Sequence, residues 1–328
     1  MGIKRAISLY SYQENFYLGK LDLEGCIAEA AKTGAKGIEL IPEQNCADEY
    51  LDPSKEFVAK WQDWMQKYEV EPCAVDIFYD YKLYNNRILT WKEQVKMYTD
   101  AFRFAKKLGF PIVRGMLTTP LKLVEMMIPV AEDMGLKFGV EVHSPYSLES
   151  EYCMQLYELA DKHHTKSIGV IPDTGIYVKQ QSEVIVQKFI RAGAHKEIAD
   201  YTCRAYVDKV PQQEAAEAIS KMNPNAVDHA LFKRVYFATY DDPGLLVKHA
   251  DHIIHVHNKC WHMTENYEEP SIDNENVVRL LKESGYDGYI ATEFEGQRYF
   301  HDVGCEENAD EIEEVRRNQE MLKRLLGE

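Results

Sequence analysis

Four residues of types that commonly bind metals follow short apolar runs between positions 141 and 293 of the 328-residue chain. They are Glu141 in GVEV, Asp173 in IPDTG, His257 in HVH and Glu293 in IATE. Three carboxylates gathered in one place repel each other, so a divalent cation or protons must offset that repulsion. Carboxylate oxygens with one imidazole suit Mn²⁺, Mg²⁺ or Co²⁺ better than a structural zinc site does. The alternative is that each acidic residue caps the helix that follows its strand.

The elements that must position these residues alternate between strands and helices. Short β-rich runs such as KGIELI and KFGVEV follow segments with apolar residues at three- and four-residue spacing. This alternation predicts a parallel sheet built from βα units. Polar residues mark eight predicted strand ends: Ser8, Glu39, Asp76, Arg114, Glu141, Asp173, His257 and Glu293.

The spacing of these strand ends favours a closed (β/α)8 TIM barrel of the α/β class. Six of the seven intervals are 27 to 38 residues long, and a barrel of about 250 residues averages roughly 31 residues per unit. A doubly wound open sheet is the alternative, weakened because no G-x-G-x-x-G motif follows the first strand. Active sites of TIM barrels lie at the mouth, where the strand C-termini converge. We therefore expect residues 1–328 to form a single TIM-barrel domain with its site at the mouth.

One interval, from Asp173 to His257, is 84 residues long. We interpret residues 178–250 as a normal helix plus a segment inserted between strands 6 and 7. Long insertions in compact domains are usually functional, and this one would lie beside the mouth. We expect it to build part of a subunit interface; the alternative is a passive extra helical layer.

Composition excludes several classes of protein. A net formal charge of −16 would repel a phosphate backbone, so we expect no nucleic-acid partner. No apolar run approaches the roughly 18 residues that suggest a membrane span, and the N-terminus lacks a secretory apolar core. Seven scattered cysteines, Cys305 among them, form no CxxC pair and predict reduced thiols in a cytoplasmic protein.

Segments along almost the whole chain resemble the sugar-phosphate isomerase/epimerase group, the xylose isomerase-like TIM barrels. These segments are GAKGIEL, FGVEVHSP, VIPDTG, HIIHVHNK and GYDGYIATEFEG. Ketose 3-epimerases of this group hold one divalent metal with Glu, Asp, His and Glu from four late strands. The resemblance implies that Glu141, Asp173, His257 and Glu293 are the ligands, with Mn²⁺ as the expected ion and Mg²⁺ or Co²⁺ as alternatives. His255 shares a strand face with His257 and is assigned to packing or to support of the ligands.

The chain also departs from those epimerases. Ile176 stands where they have a substrate-binding His, and NKCWHM replaces their polar tail that carries an Arg. In exchange, His143 stands two residues beyond Glu141. A lone His is more simply a surface or capping residue, but beside a ligand at the mouth His143 is a candidate general base.

The opening ISLYSYQENFYLGKLDLEGCI, the run VEVHSP and the long insertion resemble the alpha subunit of bacterial C-glycoside deglycosidases. In that family a separate oxidoreductase first makes a 3-oxo sugar. The deglycosidase then cleaves the bond between the sugar and an aromatic carbon, and a small beta subunit completes the complex. The resemblance implies a lyase in which His143 takes the C2 proton beside the sugar ketone and the aglycone leaves C1.

Three other functions are alternatives. A ketose 3-epimerase or aldose–ketose isomerase, acting on a free sugar or sugar phosphate, would use Glu141 and Glu293 as both ligands and proton carriers. A phosphodiesterase resembling the endonuclease IV branch of the fold would need more metal ligands, and the net charge disfavours DNA. A non-catalytic sugar-binding barrel would have no need of the charge cluster.

Aromatic residues provide candidate binding surfaces at the mouth. The loop DIFYDYKLYNN follows the third predicted strand, and Trp261 lies four residues after His257. Both are candidates to stack on a flat aglycone or on a sugar face. The alternative for the loop is ordinary packing.

Overall fold

A computed structural model describes residues 2–302 and 307–328 of the chain. The strands in this part are β1 (Lys4–Ser8), β2 (Gly37–Leu40), β3 (Glu71–Asp76), β4 (Ile112–Met116), β5 (Lys137–Val142), β6 (Ile168–Pro172), β7 (Val256–Cys260) and β8 (Tyr289–Phe294). The α-helices are α1 (Gln13–Tyr17), α2 (Leu23–Lys32), α3 (Pro42–Asn45), α4 (Lys55–Tyr68), α5 (Trp91–Leu108), α6 (Leu121–Met134), α7 (Glu151–Lys162), α8 (Glu183–Arg191), α9 (Lys196–Val207), α10 (Gln212–Ser220), α11 (Ala226–Phe237), α12 (Leu245–Lys248), α13 (Asn274–Glu283) and α14 (Glu311–Leu326). Short 3₁₀ helices span Leu9–Tyr12, Ala47–Glu49, Thr174–Ile176, Ala250–His252 and Gly296–Tyr299.

The strands form one parallel sheet in the order β6-β5-β4-β3-β2-β1-β8-β7. Its two outer strands meet through isolated parallel bridges, Val170 with Ile253 and Asp173 with His257. These bridges join what would be the free edges of an open sheet. The predicted (β/α)8 barrel is therefore confirmed, and the open-sheet alternative is wrong.

Side chains of each strand alternate between the helices and the barrel interior, because successive residues of a strand point to opposite faces. Val75, Val113 and Val140 are fully buried in the main hydrophobic core, which the strands share with the surrounding helices. The alternate positions fill the interior with a small apolar cluster: Ala74, Ile112, Ile171 and Ile254. One interior position further along their strands, the corresponding residues are Asp76, Arg114 and Asp173, so the interior changes from apolar to charged towards the mouth.

Local sequence sets the limits of the helices, as α5 illustrates. The Thr90 hydroxyl accepts the Glu93 backbone N–H, while the Glu93 carboxylate accepts the Thr90 backbone N–H at 2.8 Å, which is a capping box. The helix ends at Gly109, whose φ of 87° lies in the left-handed region that glycine adopts without steric cost. The buried face includes Tyr98 and Phe102, as the apolar spacing predicts.

The long interval between β6 and β7 folds into five helices, α8 to α12. Two separate apolar clusters hold it together, one between α8, α9 and α11 and the other between α9, α10 and α11. A third cluster attaches the insertion to the barrel, where Val178 and Ile185 pack against Trp261 and Ile272. Since Trp261 directly follows β7, the insertion lies beside the mouth.

Two remaining predictions concern membranes and cysteines. None of the described helices combines the length and apolar character needed to cross a bilayer. The six cysteines in the described part of the chain form no disulfide, while Cys305 lies outside the described residues. The cytoplasmic location stays a prediction.

Candidate active site

A layer of polar side chains lies at the C-terminal end of the barrel. The eight residues proposed as strand ends all lie in a strand or directly after one, and each has at most 4% of its surface exposed. Their side-chain partners in the described part of the chain are mostly one another, Lys259 and His255. They are Ser8, Glu39, Asp76, Arg114, Glu141, Asp173, His257 and Glu293.

The centre of this layer is His257. Its Nδ1 lies 2.8 Å from Glu141 Oε1 and 3.8 Å from Glu293 Oε2, while its Nε2 lies 3.0 Å from Glu39 Oε2. Burial alone would lower the pKa of His257, but Glu39 and Glu141 outweigh it and raise that pKa well above its usual value. Without a metal, His257 is therefore an imidazolium that donates to carboxylates on both sides.

Arg114 supplies a second buried cation. Its guanidinium donates to Glu141 Oε2 and lies 3.9 Å from Asp76 Oδ1. Burial opposes ionisation of Glu141, but the charges of Arg114 and His257 prevail and hold its pKa well below the usual range. Burial and the nearby Glu39 raise the pKa of Asp76 well above its usual value, which favours the protonated form of its carboxyl.

Lys259 is the third buried cation, and it lies between two of the predicted metal ligands. Its Nζ is 3.0 Å from Asp173 Oδ2, donates to Glu293 Oε2, and lies 3.3 Å from Glu295 Oε1. Burial disfavours the ammonium, but Asp173 and Glu293 raise the pKa of Lys259 well above its usual value. Lys259 therefore offsets, in this structure, the carboxylate repulsion that the sequence assigned to a metal.

Asp173 serves the capping role considered for it, while its role as a metal ligand stays a prediction. Its Oδ1 accepts the backbone N–H of Gly175 at 2.7 Å and caps the 3₁₀ helix Thr174–Ile176. Its Oδ2 makes the ion-pair contact with Lys259 but has no partner with hydrogen-bond geometry among the described residues. One oxygen thus shapes the loop, and the other is available to a cation.

The predicted ligands fit a divalent ion by donor chemistry. Glu141, His257 and Glu293 each offer one atom, and these atoms lie within 4.8 Å of one another. A second group of the same kind consists of Glu39, His255 and His257. In it, His255 lies 2.7 Å from Glu39, and its burial lowers the pKa of its imidazole. Since both imidazoles contact Glu39 Oε2, His255 is positioned to support His257 through this shared carboxylate. Among the described residues, Asp173 belongs to neither group, and its Oδ2 lies 3.0 Å from Lys259 Nζ.

A cavity of about 390 Å³ opens above the polar layer. It is lined by Glu141, Asp173 and Glu293, and also by His143, which is half-buried. His143 Nδ1 lies 2.7 Å from the backbone carbonyl oxygen of Ser144. Because a carbonyl only accepts, Nδ1 carries the hydrogen and Nε2 is left with a lone pair that can take a proton.

Some of the aromatic candidates line the cavity, and others do not. Phe78 and Trp261 line it. Tyr79 and Tyr81 of the same loop instead stack on each other at 5.1 Å between ring centroids, and Tyr79 donates to Gln94.

The residues that mark departures from the epimerases are divided between the hydrophobic core and the cavity, since Lys259 and Trp261 of the stretch NKCWHM line the cavity. Ile176 is fully buried in the main hydrophobic core and is not among the described residues that line the cavity. Met263, within the stretch that lacks the epimerase arginine, is likewise fully buried in that core. Neither Ile176 nor Met263 is among the described residues that line the cavity.

Sequence reasoning missed Lys259 and assigned no role to Arg114. Lys259 lies two residues after His257, the same spacing that placed His255 on the inner face of the strand. This two-residue spacing could have predicted that Lys259 faces the barrel interior. Arg114 was recognised as a strand end, but its pairing with Glu141 depends on the neighbouring positions of β4 and β5 in the barrel.

Comparisons with known proteins agree with this fold. The family model described as "Xylose isomerase-like TIM barrel" matches residues 27–325. A C-glycoside deglycosidase alpha subunit from Arthrobacter globiformis is 27% identical, over 100% of this chain and 93% of the relative. A 3'-dehydrocarminate deglycosidase alpha subunit from a Microbacterium species is 26% identical, over 98% and 95%. The prediction that the chain is an enzyme is confirmed by these relatives.

Solved structures show the same fold. The IolI protein with a bound zinc atom has a TM-score of 0.59 and 13% identity, covering 99% of this chain and 98% of that one. D-psicose 3-epimerase in the presence of D-fructose has a TM-score of 0.58 and 12% identity, covering 99% and 100%. At such low identity these structures support the fold alone, and they confirm the predicted xylose isomerase-like barrel.

Replacing Lys259 tests its part in the cluster. We expect Lys259→Met to lower the free energy of unfolding of the metal-free protein by about 3 kcal/mol, because buried carboxylates lose their cation. Because the ammonium competes for the same oxygens, the same variant should bind Mn²⁺ roughly tenfold more tightly. Urea unfolding and calorimetric titration measure the two effects.

Two variants control this experiment. Lys259→Arg keeps the charge and should change both quantities less, while Lys196→Met removes a largely exposed ammonium and should change neither. A metal affinity unaltered in Lys259→Met would show that the ammonium does not compete with the ion.

Proposed function

Because the chain belongs to the xylose isomerase-like TIM barrel family, we propose that it is the alpha subunit of a metal-dependent carbon–carbon lyase. The proposed substrate is a 3-oxo-C-glycoside, and the proposed reaction removes its aromatic aglycone. The two relatives named as deglycosidase alpha subunits, matched along nearly the full chain, support this choice. The observation that carries it is one cavity lined by Glu141, Asp173 and Glu293, by His143 and by aromatic side chains.

The residues that would hold the metal are Glu141, Asp173, His257 and Glu293. We propose Mn²⁺ as the ion, with Mg²⁺ and Co²⁺ as alternatives, since the donors are mainly oxygens. When bound, a divalent ion polarises the ketone and the neighbouring hydroxyl of the sugar, which makes the C–H bond between them more acidic. To serve as a ligand, His257 must give up the proton that it shares with Glu141 in the metal-free protein.

His143 would act on the polarised sugar as the base. Its Nε2 takes the proton from C2, the C1–aglycone bond breaks, and a double bond forms between C1 and C2. The leaving carbon takes up one proton, so the reaction is neutral in electrons and protons. The Ser144 carbonyl fixes the ring through Nδ1 and so keeps Nε2 available as the acceptor.

A ketose 3-epimerase or an aldose–ketose isomerase is the alternative. The cluster of Glu141 and Glu293 around His257 favours it, since these carboxylates could carry protons on either side of a bound sugar. Against it, Ile176, which stands where those epimerases have a substrate-binding His, lies in the hydrophobic core rather than in the cavity. The two functions differ in their products.

Product analysis separates them. Metal-loaded protein, with and without a small partner subunit, is incubated with 3-oxo-C-glycosides and with free ketoses. We expect release of the free aglycone from the former and no epimer from the latter. Asp173→Ala should lose tight metal binding and aglycone release together, because one charged ligand is removed.

The matched control is Asp251→Ala, since the Asp251 side chain is almost fully exposed. It should keep both metal and turnover. Undiminished metal content in Asp173→Ala would reject the ligand assignment, and an epimerised ketose would favour the alternative function.

A variant of His143 tests the base. We expect His143→Ala to keep its metal and to lose turnover by about 10²- to 10⁴-fold, the usual contribution of a general base. Elemental analysis and single-turnover kinetics measure the two properties. His229→Ala, which changes an exposed histidine on α11, is the control. Wild-type turnover in His143→Ala would move the base to another residue, most simply a carboxylate of the cluster.

The insertion is the proposed partner surface. Both named relatives are called alpha subunits, and we propose that residues 178–250 contact a small beta subunit or a second copy of this chain. Several large apolar side chains of the insertion are exposed, as partner contacts require: Val207, Phe237, Tyr240 and Val247.

Mass measurement in solution and hydrogen exchange test this surface. We expect a complex and slower exchange within residues 178–250 when the partner is added. Protection confined to the loop between β3 and α5, which also exposes Leu83 and Ile88, would move the interface there. A monomer without added protection in the insertion would defeat the proposal.

A further inference from the structure

The charges that line the cavity are paired, with one exception. Four carboxylates line it, and three cations from the strands and the loop after β8 contact them. The pairs are Glu141 with Arg114, Asp173 and Glu293 with Lys259, and Glu295 with both Lys259 and Arg298. Each carboxylate of the cavity lining therefore has a cationic partner other than Arg234.

Arg234 is the exception. It lines the same cavity and is half-buried. Its Nη2 donates to Tyr299 Oη at 3.3 Å, and its Cζ lies 5.9 Å from the ring centroid of Trp261. Within the described residues it has no ion pair with any carboxylate, although the chain carries 54 acidic residues. A half-buried guanidinium in a cavity retains donors that an anion can accept.

The surroundings of Arg234 suit a flat ring. Arg234 lies on α11 of the insertion, and Phe237 and Ala238 from the end of the same helix also line the cavity. Trp261 and Tyr299, its two contacts, follow β7 and β8 rather than lying within them. The cation therefore reaches the cavity from the side of the loops and the insertion, whereas the carboxylate cluster lies at the strand ends.

We propose that Arg234 binds a negatively charged oxygen on the aromatic part of the substrate. This inference rests on the proposed function, in which the sugar occupies the carboxylate cluster and the aglycone the rest of the cavity. A guanidinium forms two parallel hydrogen bonds to a carboxylate, or a charge-assisted bond to a phenolate. Trp261 and Phe237 contact the ring that carries the oxygen. The enzyme therefore selects anionic aromatic aglycones over neutral ones of equal size.

Binding of small aromatic probes tests the selection without requiring turnover. Calorimetry compares 4-hydroxybenzoate with its neutral methyl ester, and 4-nitrophenol above and below the pH at which it ionises. The first pair reports recognition of a carboxylate, and the second reports recognition of a phenolate. We expect the wild-type protein to prefer at least one anion over its neutral counterpart by roughly 10- to 100-fold, as expected for a hydrogen bond to a charged group.

Variants connect that preference to Arg234. Arg234→Met should abolish it, whereas Arg234→Lys should keep part of it because the charge remains. Arg279→Met removes an exposed arginine on α13 that pairs with Glu283, and it should behave as wild type. Thermal unfolding of each variant checks that the fold is retained.

The outcomes separate this inference from the proposed function. Equal preference for the anion in Arg234→Met and wild type, or no preference in wild type, overturns the role of Arg234. Cleavage of 3-oxo-C-glycosides without any preference rejects this inference alone. Anion binding that depends on Arg234, without any cleavage, supports the anion site and rejects the proposed reaction.

Discussion

Negative charge confined at the mouth of the barrel is the constraint on which the site depends. Glu39, Glu141, Asp173 and Glu293 are almost completely buried, and their mutual repulsion is strong where water cannot screen it. The chain offsets this repulsion with three cations of its own: Arg114, His257 and Lys259. A divalent ion could take over part of this task only by displacing the ammonium and the imidazolium proton. Metal binding, the protonation of His257 and the position of Lys259 are therefore coupled.

The fold creates this concentration of charge through the period of the strands. Inward positions that carry Ala74 and Ile112 near the start of their strands carry Asp76 and Arg114 one interior position later. The apolar cluster closes the barrel below, and the charged layer faces the cavity above. The insertion then adds a wall that the strands cannot supply, including Arg234 from α11. The cavity thus combines a charged end with an aromatic and cationic side.

The sequence predicted the barrel well because a polar residue lies in or directly after each strand, and six of the seven intervals between these residues are 27 to 38 residues long. It placed Glu141 and Glu293 near His257, since parallel strands deliver their ends to one mouth. It did not predict the pairing of Lys259 with Asp173, which depends on a side-chain conformation across two strands. The packing of Arg234 against Trp261 joins residues from α11 and the end of β7, and no local pattern signals such a contact. Residue spacing alone does not predict such long-range contacts between side chains.

The most direct test of this account is anomalous diffraction from crystals soaked in Mn²⁺. Two groups of donors compete for the ion, one with Glu141 and Glu293 and the other with Glu39 and His255, and His257 belongs to both. We expect one anomalous peak bounded by Glu141, Asp173, His257 and Glu293, with Lys259 Nζ moved away from Asp173. A peak beside Glu39 and His255 instead, or no peak while Lys259 still pairs with Asp173, would contradict the coupling of the metal to the buried cations.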